Sequence, residues 1–379
     1  MKVFFDNAGT TPLDPTVFEE MRPFFENFYG NPSSIHSHGR EVRSAVERAR
    51  KKIADILNTS PSELFFTSGG TEADNTAIIN SVKSKGIKNI ISSRIEHHAV
   101  LHTLDHIEQE GWTKTHFVNL QDDGQVDYDH LEHLVKSNKD VMVSLMHANN
   151  EIGNVSDIYR IGEMCKEYGA TFHSDTVQTM GHFQHDLQKL EAHCIVGSAH
   201  KLHGPKGIGF LYKRHDHQLK PFIHGGAQER NMRGGTENVT GIVGLAKALE
   251  IAYEHQDEHK RHITALKARM IGKLKEIIPD VHFNGTSADL ENSLFTVLNV
   301  CMPASEDNDM LLFNLDINGV SVSGGSACSS GSNVGSHVLA ELKRDPNRGA
   351  IRFSFSKYNT EEEVDYAVEK LAETMPVSA

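Results

Sequence analysis

The sequence predicts an α/β protein: a large domain on a mostly parallel seven-stranded sheet, plus a smaller α+β domain. Three observations carry this. Between about residues 60 and 215, seven short apolar runs alternate with amphipathic stretches, the pattern of a parallel sheet covered by helices on both faces. After Gly241 the alternation gives way to two successive helical stretches and then to strands and helices in looser order. The 379 residues, 38% of them hydrophobic, can bury a large core and have the length of two or three domain-sized units.

In chain order, residues 1–7 are strand-like, and residues 40–52 form a helix with apolar positions at Val42, Ala45, Val46, Ala49 and Ile53. Arg40, Arg43, Arg48, Arg50, Lys51 and Lys52 are read as its solvated basic face. Buried strands are predicted at 64–67, 89–93, 116–120, 141–146, 170–173, 194–197 and 208–212, with helices at 71–85, 98–110, 128–136 and 158–168. A helix at 242–254 leads into a long charged one at 255–276, which is expected to bridge the domains. Strands near 295–301 and 350–356 and helices near 309–317 and 361–374 complete the smaller unit. The expected division is 16–255 for the large domain, with 1–15 and 256–379 for the small one.

Composition removes several classes of function. A formal net charge of -13 argues against a broad nucleic-acid surface, and no apolar run approaches the length that spans a membrane. The expectation is a soluble cytoplasmic protein. Cysteines at 165, 194, 301 and 328 form no close pair, so neither a Cys-x-x-Cys metal site nor a disulfide scaffold is expected. Cys165, Cys194 and Cys301 lie in helical or apolar sequence as small core residues. No metal site is expected either, because no His-x-x-x-His or His-Glu-x-x-His arrangement among the 24 histidines is read as one.

The candidate chemistry collects at predicted strand ends, where ligands of open α/β sheets bind. Lys201 sits in a turn of small residues between two apolar runs. It is either a solvated loop cation or an amine desolvated enough to condense with a cofactor carbonyl. Thr67-Ser-Gly-Gly-Thr71 ends one strand and opens a helix, and its glycines, the Thr71 hydroxyl and the helix N-terminus suit a phosphate. Thr71 and Asp74 equally have the spacing of an ordinary capping box. Asp175 ends another strand, as a turn residue or as the carboxylate that keeps a cofactor's pyridine nitrogen protonated. Cys328 lies among small polar residues, where a thiol is expected to be exposed.

Nine stretches together resemble the pyridoxal-phosphate-dependent cysteine desulfurases of the class V aminotransferases (NifS/IscS-like). They are Asp6-Asn-Ala-Gly-Thr-Thr-Pro12, Gly30-Asn-Pro-Ser-Ser34, Thr67-Ser-Gly-Gly-Thr-Glu72, Glu96-His97, His147-Ala-Asn-Asn-Glu-Ile-Gly153, His200-Lys201 with Gly204-Pro-Lys-Gly-Ile-Gly209, Arg233-Gly-Gly-Thr-Glu-Asn238, Gly325-Ser-Ala-Cys328 and Ile351-Arg-Phe-Ser354. The resemblance implies fold type I of the pyridoxal-phosphate-dependent transferases. It implies conversion of L-cysteine to L-alanine, with Lys201 as Schiff-base lysine and Cys328 as the nucleophile that takes the sulfur as a persulfide. It further implies that Asp175 faces the pyridinium nitrogen and Gln178 the ring hydroxyl, that His97 stacks on the ring and moves protons, and that Asn150 lies near ring and substrate. Gly70, Thr71, Ser198 and His200 would bind the phosphate, joined by Thr236 from the other subunit of a homodimer, and Arg352 would clamp the substrate carboxylate.

The expected partner is a sulfur-acceptor protein, an iron-sulfur scaffold or a sulfur carrier, with Cys328 in transient contact with a cluster at most. The sulfur would feed iron-sulfur clusters, other thio-cofactors or tRNA. The stretch Arg233-Gly-Gly-Thr-Glu-Asn-Val239 is closer to the nitrogen-fixation branch, and the chain ends at Ala379 soon after its last helix, so the acceptor stays open. Gly9, where many relatives carry alanine, is expected to matter little. The alternatives are a selenocysteine lyase or another class V aminotransferase, and a catalytically retired scaffold protein.

Overall fold

The computed structural model of the chain describes residues 1–324, 335–345 and 347–374. Strand β1 (Val3–Phe4) is followed by helix α1 (Pro15–Met21), the one-turn α2 (Pro23–Glu26) and the long α3 (Ser37–Ile56). Asp14 starts α1 by accepting the Thr16 N–H at 2.7 Å, and Pro15 at its first position gives up no helical hydrogen bond. Val42, Val46, Ala49 and Ile53 turn one stripe of α3 into the core.

One residue of α3 overturns its reading as basic and solvated. Arg50 is 2% exposed, because it lies four residues after Val46 and three before Ile53, on the apolar stripe itself. Its guanidinium makes a two-pronged pair with Glu229 at 2.7 and 2.8 Å, donates to the Leu64 carbonyl, and lies 4.5 Å from the Phe66 ring centroid. Glu229 also accepts the Phe66 N–H at 2.8 Å. The turn that delivers this carboxylate holds Glu229, Arg230 and Asn231 at φ of 44, 57 and 65°, a left-handed run that side chains other than glycine seldom adopt.

The central sheet is assembled from β2 (Leu64–Thr67), α4 (Gly70–Lys85), β3 (Asn89–Ser92), α5 (His98–Gln109), β4 (Lys114–Phe117), α6 (Tyr128–Ser137), β5 (Val141–Ser144), α7 (Ile158–Tyr168), β6 (Thr171–Asp175), β7 (Cys194–Ser198) and β8 (Gly209–Lys213). Its strand order is β2-β8-β7-β6-β5-β3-β4. Only β8 runs against its neighbours, since the ten residues between Ser198 and Gly209 are too few for a parallel crossover. Asp127 and Asp157 cap α6 and α7, and left-handed Gly86 and Gly169 end α4 and α7. Strand β4 begins two residues before its predicted place, because register with β3 pairs Asn89 with Lys114 and the half-exposed sheet edge tolerates polar residues.

Asn238 caps α8 (Val239–Glu254), which packs on α3, and α9 (Gln256–Ile277) follows after one residue. The remaining elements are β9 (His282–Phe283), β10 (Val297–Ala304), α10 (Leu311–Ile317), β11 (Val320–Ser321), α11 (His337–Glu341), β12 (Arg348–Ser354) and α12 (Glu361–Thr374). Strands β12-β10-β9 form an antiparallel sheet, and β1 pairs in parallel with β11. Two large apolar cores result. One lies around α3, α8 and the central sheet, and the other joins Val3 and Phe5 to residues of α9, β10, β12 and α12. The chain therefore leaves the second core after Phe5 and passes over the rim of the central sheet, and β12 returns to the same place.

Candidate active site

Strands β2, β6 and β7 are mutually parallel, so Thr67, Asp175 and Ser198 reach the same sheet edge. A pocket there is lined by Ala8, Gly9, Gly70, Thr71, Asp74, His97, Met146, Ala148, Asn150, Asp175, Val177, Gln178, Ser198, His200, Lys201 and Arg352. It gathers residues expected from the sequence on six separate segments. Thr236 is exposed and lines a different cavity with Ser68, Arg233 and Gly235. Cys328 lies outside the described residues.

Lys201 ends a short 3-10 turn, Ala199–Lys201, and is half-buried. Its amine donates to the Ala8 carbonyl and to the Gly9 carbonyl, the latter at 2.7 Å. Gln178 donates to the same Ala8 carbonyl at 3.1 Å. The amino-terminal segment thus forms one wall of the pocket, a contribution of Ala8 and Gly9 that only their place in a resemblance motif could have signalled.

Asp175 is 7% exposed. Burial pushes its carboxyl up to about 6, opposed by the Val177 N–H and the Lys201 charge. Behind it, burial raises Asp74, with repulsion from Asp175 and Glu96 adding to the effect, and burial raises Glu96 in the same way. His173 Nε2 lies 3.3 Å from Asp74 Oδ1, and burial drives that imidazole down to about 3. Asp74 is therefore a buried carboxyl with a raised pKa and makes no helix cap. Gly69 precedes α4 as a cap without a side chain, while Glu72 accepts the Ser68 N–H at 2.8 Å and pairs with Arg233 at 3.0 Å.

The Asp74 arrangement sets a sign for stability. Its folded value is raised above 3.8, so its stabilising proton is fully held at low pH and the benefit is lost as pH climbs towards the folded value. In the cofactor-free protein, Asp74→Asn should gain on the parent between about pH 5 and pH 7, by at most about 1.4 kcal/mol per pH unit. Denaturant unfolding of both proteins at the two pH values checks this.

The part of the pocket around Gly70 fits a phosphate. A Cβ at Gly70 would come within 2.8 Å of Val177 Cγ2, so a larger residue would fill the space between the α4 N-terminus and β6. Ser198 and Thr71 add hydroxyls, and His200 Nδ1 lies 3.1 Å from Thr10 Oγ1. Burial, then Lys201 and Lys206, lowers His200 to about 4, making it a neutral hydrogen-bonding group. His97 caps α5 through Nδ1, which accepts the Ala99 N–H at 3.1 Å. Burial, then Lys201 and His337, lowers it to about 4, and with Nδ1 an acceptor the neutral ring carries its proton on Nε2.

Arg352 on β12 is fully buried, donating Nη2 to Asp6 Oδ1 at 2.7 Å and Nη1 to the Asn150 carbonyl at 3.1 Å. A Cβ on Gly9 would lie 2.8 Å from Asp6 Oδ2, the movable end of that side chain. His98 and His102, one turn apart on α5, do follow a His-x-x-x-His spacing, and His98 also meets His337 with ring centroids 4.5 Å apart. Among the described residues, however, no group of three or more His, Cys, Asp or Glu could hold a metal ion, and no helix is long and apolar enough to cross a membrane. Cys165 and Cys194 are buried, and burial raises both thiols.

Residues 3–367 match the family model described as aminotransferase class-V. The cysteine desulfurase IscS of Dictyoglomus turgidum is 42% identical over 375 residues, covering 98% of this chain and 93% of that protein. A solved structure of a NifS-like protein superposes with a TM-score of 0.90 at 39% identity, over 98% of this chain and 99% of that one. SspA in complex with cysteine superposes at 0.81 with 30% identity, over 95% and 100%. With fold, pocket and full-length similarity in agreement, the chain belongs to the class V aminotransferase family and, within it, to the cysteine desulfurases.

Proposed function

We propose that the chain is a pyridoxal 5′-phosphate-dependent cysteine desulfurase that converts L-cysteine to L-alanine and carries the sulfur as a persulfide on Cys328. The observation that carries this reading is the convergence of Lys201, Asp175 and Arg352 on one pocket. When bound, pyridoxal phosphate supplies an electrophilic carbonyl and an electron-withdrawing ring. Asp175 would face the ring nitrogen, where a protonated pyridine offsets the burial cost of the carboxylate. Gly70, Thr71, Ser198 and His200 would hold the phosphate and Gln178 the ring hydroxyl, with His97 against the ring face.

Arg352 and Asn150 orient the substrate through its carboxylate. With the cofactor bound, the Lys201 amine would take the proton from the substrate Cα and later return it. The Cys328 thiolate then bonds to the substrate sulfur as the carbon–sulfur bond breaks. The bonding pair stays with Cβ, which gains a proton and becomes the methyl group of alanine. Exposed Thr236, away from its own chain's pocket, supports a homodimer in which it completes the phosphate site of the second copy. The large domain would span 16–255, with 1–15 and 256–379 forming the small one. In the cytoplasm, an iron-sulfur scaffold or a sulfur carrier would take the persulfide sulfur.

Cofactor-loaded protein given L-cysteine and a reducing thiol should release alanine and sulfide in equal amounts. A keto acid in place of alanine would make it an aminotransferase and overturn the reading.

A further inference from the structure

Arg352 offers its pocket a fork that is already partly taken. Nη2 is paired with Asp6 and Nη1 with the Asn150 carbonyl, while Nε is buried with no hydrogen-bond partner among the described residues. Resting on the reading of Arg352 as the carboxylate clamp, we propose that Asp6 is a resident counterion that an incoming substrate carboxylate must displace from Arg352. Asp6 then sets how tightly the site takes any carboxylate.

The charges require an exchange. One buried guanidinium and one carboxylate form a neutral pair, and a second carboxylate sharing the same guanidinium would leave an uncompensated negative charge in a mostly buried place. Of the two original partners, Asp6 is the one that can leave. Its side chain is 24% exposed against 1% for Arg352, so water can take it back at lower cost. Nε, unpaired beforehand, and Nη2, vacated by Asp6, together form the edge of the guanidinium that a carboxylate grips with two parallel hydrogen bonds. Gly9 leaves this pair room, because an added Cβ would stand 2.8 Å from Asp6 Oδ2 and 3.2 Å from its Cγ and the Asp6 side chain would have to shift. Asp6 is a positioning residue in this account. It keeps Arg352 in place while the site is empty and weakens the affinity of the filled one.

The test measures dissociation constants of cofactor-loaded protein for L-alanine and for propionate, a carboxylate with no amine. Asp6→Asn keeps the shape and an acceptor for Nη2 but removes the charge, so both constants should fall about fivefold. Asp6→Glu should restore values near the parent's. Gly9→Ala, which crowds the Asp6 carboxylate and alters no polar group, should move them in the same direction by a smaller factor and stands in if Asp6→Asn does not fold. Unchanged or weaker binding in Asp6→Asn overturns the proposal, as does the absence of carboxylate binding in every protein at about 0.1 M ligand. If the expected order is found in a protein that makes no alanine from L-cysteine, the desulfurase reading has failed and the counterion role of Asp6 stands.

Discussion

Replacing Lys201 by alanine should reduce L-cysteine turnover about a thousandfold or more, because the proposed mechanism makes one amine both the covalent attachment point of the cofactor and the group that moves the Cα proton. The fold should survive. Lys201 is half-buried on a short turn, and its amine donates to the carbonyls of Ala8 and Gly9 at the pocket wall. Cofactor should still bind non-covalently through the residues around Gly70 and through Asp175. The measurement is turnover beside an absorption spectrum: retained cofactor with altered visible absorption is expected, and near-normal turnover would remove Lys201 from its role.

Cys328→Ala should abolish sulfide release from L-cysteine, by about a hundredfold or more, while the visible absorption of the bound cofactor stays that of the parent. The two variants separate the two halves of the chemistry. In the proposed mechanism, loss of Lys201 leaves the substrate's Cα proton without a base, and loss of Cys328 leaves the sulfur without an acceptor. The other three cysteines offer no substitute, being buried, with the thiols of Cys165 and Cys194 raised away from thiolate character. Full turnover in Cys328→Ala would show that sulfur leaves the substrate by another route.

Much of the fold was legible because strands buried on both faces must be apolar throughout. Runs such as Val141–Ser144 and Cys194–Ser198 leave little alternative between capped helices. Lys201, Asp175 and the Gly70 region were legible as members of one candidate pocket for a related reason, since polar and small residues at strand ends stand out against such runs. What escaped depends on long-range approach. Ala8 and Gly9 border the pocket because β1, just before them, pairs with β11, more than three hundred residues away. The inward turn of Arg50 was within reach of helical periodicity, but a basic cluster looks solvated until Glu229 is brought beneath it. Asp74 had the spacing of a cap, and only the third dimension reveals Asp175 and Glu96 as its neighbours.

The central claim is a covalent bond between the cofactor aldehyde and one amine. Borohydride reduction of the cofactor-loaded protein followed by peptide mass mapping tests it most directly. The account predicts a phosphopyridoxyl group fixed to the peptide that contains Lys201. The same mass on another lysine, or on none in a protein that turns over L-cysteine, would contradict it.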